Sequence, residues 1–304
     1  MNWTRKPNFL IVGAPKCGTT AMNHYLRQHP EIFITEKKEL HFFGKDLGFK
    51  HDRSESSYQD AFSTWDLEKV GGEASVWYLY SKTAAREIFE FNPEMKIIVM
   101  IRNPADMVHA QHGQAMFVGR ETITDFESAL DAEQGRKSGQ IPTHRLSPKE
   151  VFFYSQIARY TEQIQRFIDV FGREKVHIIV FDDLKLGVQS VYAKTLKFLN
   201  VDPSFLADLT PRNQNRKFKN KKLHYLVNNP NPKFKRLVQS IFPDSIWRKT
   251  KTRLQKVNTI RAPRDKMTSD IRRRLIEMYQ DEVQSIGSFL GRDLSSWLET
   301  GEDL

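Results

Sequence analysis

The segment Gly13 to Thr20 has the composition of a phosphate-binding loop. It reads Gly-Ala-Pro-Lys-Cys-Gly-Thr-Thr, follows the apolar run Phe9 to Val12 and precedes a helical pattern. Glycines allow backbone N–H groups to turn towards an anion, and the N-terminus of the following helix adds positive partial charge. We therefore predict that the backbone N–H groups of this loop and the hydroxyls of Thr19 and Thr20 bind a phosphate.

The lysine of this loop stands at an unusual position. In the nucleoside triphosphate loop G-x-x-x-x-G-K-[ST], the lysine immediately follows the second glycine. Here Thr19 occupies that position, and Lys16 precedes Gly18. Its ammonium is therefore expected to approach a phosphate chain from a different point. This difference argues against ordinary ATP or GTP hydrolysis.

A cation follows another predicted strand. The run Lys96 to Ile101 is followed by Arg102, Asn103 and Pro104. Ligands of open parallel sheets bind at the carboxyl edge of the strands. A magnesium site would favour a carboxylate there, whereas an arginine suits a second phosphate. The alternative is a surface arginine at a helix entry that Asn103 caps, with Pro104 in the first turn.

Three other groups of residues could carry chemistry. Cys17 is the only cysteine, which excludes an intrachain disulfide, and with no base beside it in sequence we interpret it as a small residue of a tight turn. His109 and His112 lie one helical turn apart, but they lack a third metal ligand and are interpreted as ordinary helix residues. The run Ile178 to Asp183 ends in two carboxylates that could hold magnesium, which supports a P-loop kinase or NTPase as an alternative function.

Apolar runs alternate with helical patterns along the chain. The predicted strands are Phe9 to Val12, Glu31 to Ile34, Lys96 to Ile101 and Val176 to Phe181. The predicted helices are Thr20 to Gln28, Ser81 to Phe91, Pro104 to Phe117, Glu150 to Phe171 and Ser269 to Leu290. This alternation predicts an α/β protein with a central, mostly parallel sheet flanked by helices, in a P-loop-type three-layer sandwich. The polar segment Val118 to Pro148 is expected to be a surface excursion that could cover a site.

The composition fits a single domain of 304 residues with a basic helical region from about residue 212 to residue 304. With 47 basic and 37 acidic residues the net charge is +10, which favours anionic partners. A non-catalytic polyanion-binding protein is the second alternative, but no nucleic-acid motif accompanies the charge. No run approaches the ~20 apolar residues of a membrane span. We therefore expect a cytoplasmic protein whose basic region could touch a membrane surface, although a chain trimmed of an anchor would look the same.

In five segments the chain resembles sulfotransferases that use 3′-phosphoadenosine 5′-phosphosulfate (PAPS), especially glycan-type and bacterial ones. The segments follow one another in the family order across most of the chain. Pro15 to Thr20 resembles the 5′-phosphosulfate loop, Lys37 to Phe43 the segment that supplies the catalytic base, and Arg102 to Pro104 the start of the 3′-phosphate motif. Gly72 to Leu79 and Gly291 to Trp297 resemble two further shared segments.

The resemblance implies a metal-independent transfer of the sulfuryl group of PAPS to an acceptor hydroxyl or amine. The acceptor is expected to be a carbohydrate or another hydroxylated metabolite or lipid. Glu39 is the expected catalytic base, with His41 as the alternative because an unperturbed imidazole titrates near neutral pH. Lys16 is expected to stabilise the leaving oxygen. The residues expected to bind PAPS are Pro15, Lys16, Cys17, Gly18, Thr19, Thr20 and Arg102, together with Lys219 and Asn220, which could instead belong to a solvated charge run.

The chain departs from the family pattern at two positions. Family members usually have a serine that binds the 3′-phosphate eight residues after the motif arginine, and this chain has Ala110. We expect His109 or Gln111 to compensate. Family enzymes often have a lysine where this chain has Ala74, so an assisting lysine is not expected in that segment.

Overall fold

The computed structural model of the protein describes residues 3, 5–50, 52–210, 253, 257–261 and 267–300, and the backbone of residues 216–218. In this part of the chain five strands form one sheet, in the order β2-β3-β1-β4-β5. They are β1 (Phe9–Gly13), β2 (Ile32–Ile34), β3 (Val70–Ala74), β4 (Lys96–Ile101) and β5 (Val176–Val180). Every neighbouring pair in this sheet is parallel. Two short strands, β6 (Arg216–Phe218) and β7 (Thr259–Arg261), form a separate antiparallel pair.

Every residue of β1 and β3 is buried, because both faces of the sheet are covered by helices. These helices are α1 (Thr19–Leu26), α2 (Glu55–Asp60), α3 (Ala84–Phe91), α4 (Pro104–Phe117), α5 (Phe126–Asp131), α6 (Glu133–Ser138), α7 (Tyr154–Ile157), α8 (Tyr160–Phe171), α9 (Phe181–Leu199) and α10 (Ser269–Leu290). Single 3-10 turns lie at Lys149–Phe152, Arg173–Lys175 and Ser295–Leu298. The predicted α/β class with a central parallel sheet is confirmed.

One local prediction was wrong, and the structure adds detail to two others. The helix predicted from Glu150 to Phe171 is broken into a 3-10 turn, α7 and α8. The consecutive aromatic side chains of residues 152–154 are all buried, and a straight helix would point them over a wide arc. The predicted surface excursion from residue 118 contains α5 and α6, and it is anchored by the buried ion pair of Arg136 with Glu121 at 2.8 Å. Asp182 and Asp183, the carboxylates expected at a strand end, follow the end of β5 and belong to the first turn of α9.

The segment after α10 packs against the starts of two other helices. Both terminal nitrogens of Arg292 donate to the carboxylate of Asp183, at 2.7 and 2.6 Å. The indole Nε1 of Trp297 donates to Asp182 at 2.7 Å, and the carbonyl of Trp297 accepts from Asn103 Nδ2 at 3.0 Å. The two carboxylates that supported a magnesium site are therefore engaged in contacts with the C-terminal segment.

The predicted basic region falls largely outside the described residues. Lys219 and Asn220 lie there, as does nearly all of the basic segment between residues 219 and 266. The single-domain prediction for residues 1–304 stays a prediction. Across the described ranges, no helix combines the length and apolar character needed to span a bilayer.

Candidate active site

The predicted site residues converge on one edge of the sheet. The phosphate loop follows β1, residues 37–43 follow β2, and Ser75 follows β3. Arg102 follows β4. Because all of these strands are parallel and adjacent, their carboxyl ends meet at the same edge. The topology therefore brings the phosphate loop, the arginine and the segment of Glu39 together.

The phosphate loop ends where α1 begins. Gly18 has a φ of 92°, in the left-handed region, and a Cβ at this position would lie 3.1 Å from the ring of Phe181. Glycine therefore fits here for its conformation and for the close approach of this ring. The side chain of Lys16 reaches α4, where its Nζ donates to Gln114 Oε1 at 3.0 Å.

Cys17 is fully buried inside the loop. Its Sγ lies 3.4 Å from the carbonyl oxygen of Pro15 and 3.9 Å from Tyr160 Oη. Burial raises the pKa of the Cys17 thiol to about 12, although the charges of Arg102 and Lys16 oppose this shift. A buried neutral thiol is a poor nucleophile, which supports the interpretation of Cys17 as a packing residue of the turn.

Arg102 is held in place by α4 and α9. Its guanidinium forms an ion pair with Asp106 at 3.1 Å and lies 4.9 Å from the ring centre of Phe181. Asn103 caps α4, because its Oδ1 accepts from the amides of Ala105 and Asp106. The capping role of Asn103 thus coexists with an arginine at the ligand-binding edge, and the two interpretations of this segment do not exclude each other.

Residues 37–43 join the phosphate loop to the neighbouring strand. Lys38 Nζ donates to Thr20 Oγ1 at 3.0 Å. The amide of Glu39 donates to the carbonyl of Ala74 at 2.9 Å, and its Oε2 accepts from the amide of Val76 at 3.1 Å. These bonds place a carboxylate directly beside the loop that is predicted to bind phosphate.

The carboxylate of Glu39 is recessed but reachable. Burial raises the pKa of Glu39, and the charge of Lys38 and the hydrogen bond from Val76 oppose this shift. About a third of its side-chain surface, 36%, nevertheless stays accessible. Its φ is 60°, a conformation that is uncommon for residues with a side chain and is concentrated at functional sites. These properties suit a base that a substrate can reach.

His41 packs behind Glu39. Its ring is 4% exposed and stacks on Phe49 with the ring centres 3.8 Å apart. The His41 amide donates to Ser75 Oγ, and its Nε2 lies 3.6 Å from Glu39 Oε2, beyond ordinary hydrogen-bond distance. This environment is typical of a positioning residue, and His41 as the base stays the alternative prediction.

Glu73 is a buried carboxyl group that the sequence analysis missed. Its side chain is inaccessible to solvent, and Ser75 Oγ donates to its Oε2 at 2.8 Å. Burial raises the pKa of Glu73 to about 8, against the effect of its hydrogen bonds with Ser75 and Tyr78. At neutral pH Glu73 is therefore mostly protonated. It directly precedes Ala74 and Ser75, which accept hydrogen bonds from the amides of Glu39 and His41.

Replacing Glu73 with Gln is expected to remove a pH dependence of stability. Folding raises the pKa of Glu73 from its ordinary value of 4.5 to about 8. The folded protein therefore loses stability as the pH rises from 4.5 towards about 8, because the buried carboxyl group resists ionisation. The free energy of unfolding of Glu73→Gln should therefore increase relative to the wild type over this range, by up to about 1.4 kcal/mol per pH unit. Urea titrations from pH 4.5 to pH 8.5 measure this difference. Glu90→Gln, at an exposed ion pair on α3, is the control, and parallel curves for Glu73→Gln and the wild type would contradict the assignment.

The two histidines of α4 contact other residues of the fold. His112 Nε2 donates to the carbonyl of Ile123 at 2.9 Å, and the rings of His109 and His112 both pack on Phe126, with 5.1 Å between ring centres. Burial lowers the pKa of His112. Within the described ranges, no group of three or more His, Cys, Asp or Glu side chains could hold a metal ion.

The match to a family model decides the family. The model described as "Sulfotransferase domain" matches residues 6–287. The chain belongs to the sulfotransferase family. A crystal structure of a sulfotransferase from Alicyclobacillus acidocaldarius has the same fold, with a TM-score of 0.73, 26% identity and coverage of 97% of this chain and 100% of that one.

Curated relatives of this sulfotransferase include two with informative names. Membrane-associated sulfotransferase kil1 of Dictyostelium discoideum is 22% identical, with 68% of this chain and 59% of that protein covered. Heparan sulfate glucosamine 3-O-sulfotransferase 5 of Mus musculus is 24% identical, with 65% and 54% covered. The chain thus spans about half the length of the curated relatives it matches.

The candidate site also contains residues that sequence reasoning did not single out. Lys38 contacts the phosphate loop, Gln114 binds Lys16, and Phe181 lies next to both Gly18 and Arg102. Burial lowers the pKa of Lys38, while the charges of Glu39 and Glu73 oppose this shift. The position of Lys38 next to Glu39 is a signal that could have been used. Gln114 and Phe181 carry no such signal, because only the packing of α4 and α9 brings them to the loop.

Proposed function

We propose that this sulfotransferase moves the sulfuryl group of PAPS to a hydroxyl of a carbohydrate or another hydroxylated acceptor. The observation that carries the proposal is the contact between residues 37–43 and the phosphate loop. The hydrogen bond from Lys38 to Thr20 fixes the accessible carboxylate of Glu39 next to the loop. A base and an anion site that are joined in this way suit group transfer from a phosphosulfate anhydride to an acceptor that must lose a proton.

The donors at the sheet edge fit a nucleotide with two phosphate positions. The first turn of α1 leaves backbone N–H groups without intrahelical partners, and the loop presents them at a helix N-terminus. Arg102 and Gly18 both lie next to the ring of Phe181, since the guanidinium is 4.9 Å from the ring centre and a Cβ at Gly18 would be 3.1 Å from a ring atom. One anionic group would therefore contact the loop from residue 15 to Thr20, and a second would contact Arg102. When bound, PAPS supplies the sulfuryl group, whose bond to the phosphate oxygen breaks as a bond to the acceptor oxygen forms.

Residues of the chain accept the proton of the acceptor and stabilise the charge on the leaving oxygen. Glu39 takes the proton of the acceptor hydroxyl, for which its accessible carboxylate and raised pKa are suited. Lys16 stabilises the negative charge that develops on the leaving oxygen, with Gln114 holding its ammonium on the side of α4. His41 contributes by packing against Phe49 behind the carboxylate.

The acceptor class is supported by a cavity and by the relatives. A cavity of about 930 Å³ is bordered by residues of the segment that carries Glu39, including Lys37 and Leu40. Its other walls combine aromatic with charged side chains: Arg27, Phe33, Phe42, Asp52, Tyr58 and Asp60 are among them. Aromatic surface next to hydrogen-bonding groups is suited to sugar rings. Several relatives are named as carbohydrate or heparan sulfate sulfotransferases.

Two measurements test the proposed function. Isothermal titration should show that 3′-phosphoadenosine 5′-phosphate (PAP) binds without a metal ion and more tightly than Mg-ATP. Labelled PAPS, incubated with a panel of glycans, lipids and small hydroxylated metabolites, should then transfer its label to at least one hydroxylated acceptor. Tight binding of Mg-ATP with no binding of PAP would favour a kinase or NTPase. An absence of both PAP binding and label transfer would overturn the enzyme proposal.

A further inference from the structure

Two arginines from distant parts of the chain meet on one carboxylate at the ligand-binding edge. Asp106 Oδ2 lies 3.1 Å from a terminal nitrogen of Arg102, and Asp106 Oδ1 lies 2.9 Å from one of Arg272. Arg272 belongs to the first turn of α10. Partial burial opposes ionisation of Asp106, but the two arginines prevail and lower its pKa. With the carboxylate ionised, the three side chains together carry one surplus positive charge.

This cluster of Arg102, Asp106 and Arg272 lies close to the phosphate loop. The ring of Phe181 lies against Gly18 of the loop and also 4.9 Å from the guanidinium of Arg102. The loop and the cluster therefore neighbour the same aromatic side chain at the start of α9. An anion at the cluster and an anion at the loop could belong to one small molecule.

Both guanidiniums can accommodate a further acceptor. Each has five N–H donors, and the ion pair with Asp106 occupies one terminal nitrogen of each. Arg102 Nε is buried and has no hydrogen-bond partner among the described residues. The side chains of Arg102 and Arg272 are 20% and 23% exposed, so the cluster is recessed but open to a ligand. These properties fit a phosphate group that bridges the two arginines.

The cluster lies on the helix that carries Ala110, the position where the expected hydroxyl is missing. Ala110 is fully buried and lies one helical turn after Asp106, on the same face of α4. The residues expected to compensate are engaged elsewhere, since His109 packs on Phe126 and Gln111 is 7% exposed. α10 packs against α4 and brings Arg272 to this face.

We propose that Arg272 binds the 3′-phosphate of the nucleotide together with Arg102, replacing the contact that a serine hydroxyl makes in related enzymes. This inference rests on the proposed function, because it assumes a PAPS site. It assigns to α10, a helix far along the sequence from the phosphate loop, a direct part in selecting a 3′-phosphorylated nucleotide.

The test compares two nucleotides that differ only in the 3′-phosphate. Isothermal titration with PAP and with 5′-AMP is performed on the wild type, Arg272→Ala and Arg273→Ala. Arg273 is the matched control, because it is the next residue of α10 and pairs with Asp270 on its own helix. Arg272→Ala should weaken PAP binding about 10- to 100-fold, the loss expected for a charged hydrogen-bonded contact, and leave 5′-AMP binding within about threefold. Arg273→Ala should bind both nucleotides as the wild type does.

The outcomes separate this inference from the proposed function. A wild type that binds neither nucleotide contradicts the proposed function itself. A wild type that prefers PAP, with Arg272→Ala retaining the full preference or losing affinity for both nucleotides equally, overturns the role of Arg272. If Arg272→Ala does not fold, Arg272→Lys retains the charge and loses the planar fork. Its preference for PAP should then be reduced, and an unchanged preference would likewise overturn the inference.

Discussion

Replacing Glu39 with Gln is expected to reduce kcat by ~10²- to 10⁴-fold, the usual contribution of a positioned general base. Gln has nearly the same size and can still accept the hydrogen bond from the Val76 amide, so the backbone of this segment should be retained. The affinity for PAP should therefore stay within about threefold of the wild type, since the substitution removes a proton acceptor and no phosphate contact. Label transfer from PAPS and isothermal titration with PAP measure the two effects.

Two controls distinguish a lost base from a damaged site. Glu90→Gln, at the exposed ion pair on α3, should leave both quantities unchanged. The pH profile of kcat/KM gives the second control. A base works in its deprotonated form, and burial raises the pKa of Glu39 above its ordinary value of 4.5. The wild-type rate should thus fall on the acid side with a midpoint above 4.5, and this limb should disappear in Glu39→Gln. Near-normal turnover of Glu39→Gln would transfer the assignment to His41.

Replacing Lys16 with Met is expected to lower kcat by ~10²- to 10³-fold, because the variant loses the only side-chain charge of the phosphate loop. Met preserves most of the length of the stem and cannot donate to Gln114 Oε1. The effect on kcat should exceed the effect on PAP affinity, since charge on the leaving oxygen grows in the transition state. Steady-state transfer of label to an acceptor found in the panel measures kcat.

Lys197→Met is the matched control for Lys16→Met. Lys197 is an exposed residue near the end of α9, the helix that starts at the ligand-binding edge and runs away from it. Its loss changes the net charge by the same amount and should leave kcat unchanged. Equal losses in the two variants would point to the overall field of this basic chain and contradict a local role of Lys16.

Strand β3 shows why part of the fold escaped sequence-based prediction. Its sequence, Val-Gly-Gly-Glu-Ala, lacks the run of branched apolar residues that marks a buried strand, and paired glycines suggest a turn. The structure explains both glycines by close packing. A Cβ at Gly71 would lie 2.6 Å from Trp65, and one at Gly72 would lie 2.4 Å from the carbonyl oxygen of Phe9. The side chains of Trp65 and Phe9 fill the space next to these glycines. No local sequence pattern indicates this packing.

The site was predictable where a single loop or strand end carries the chemistry. The position of Lys16 before Gly18 and the arginine after β4 were visible in the sequence, and the structure brings their elements to one edge. Arg272 could not be predicted in the same way, because its partner Asp106 is 166 residues distant. Such pairings depend on how helices pack, and helix periodicity alone does not define the partner of an exposed arginine.

The contacts made by Trp297 have a consequence for the order of folding during synthesis. Translation produces the phosphate loop well before Trp297, and Asn103 and Asp182 obtain their contacts with this tryptophan only when it has been made. The helix starts that support the candidate site therefore gain these contacts only after the ribosome has passed the codon for residue 297. A nascent chain stalled before this point would contain the loop, Arg102 and Glu39. It would lack the hydrogen bonds by which Trp297 joins the starts of α4 and α9.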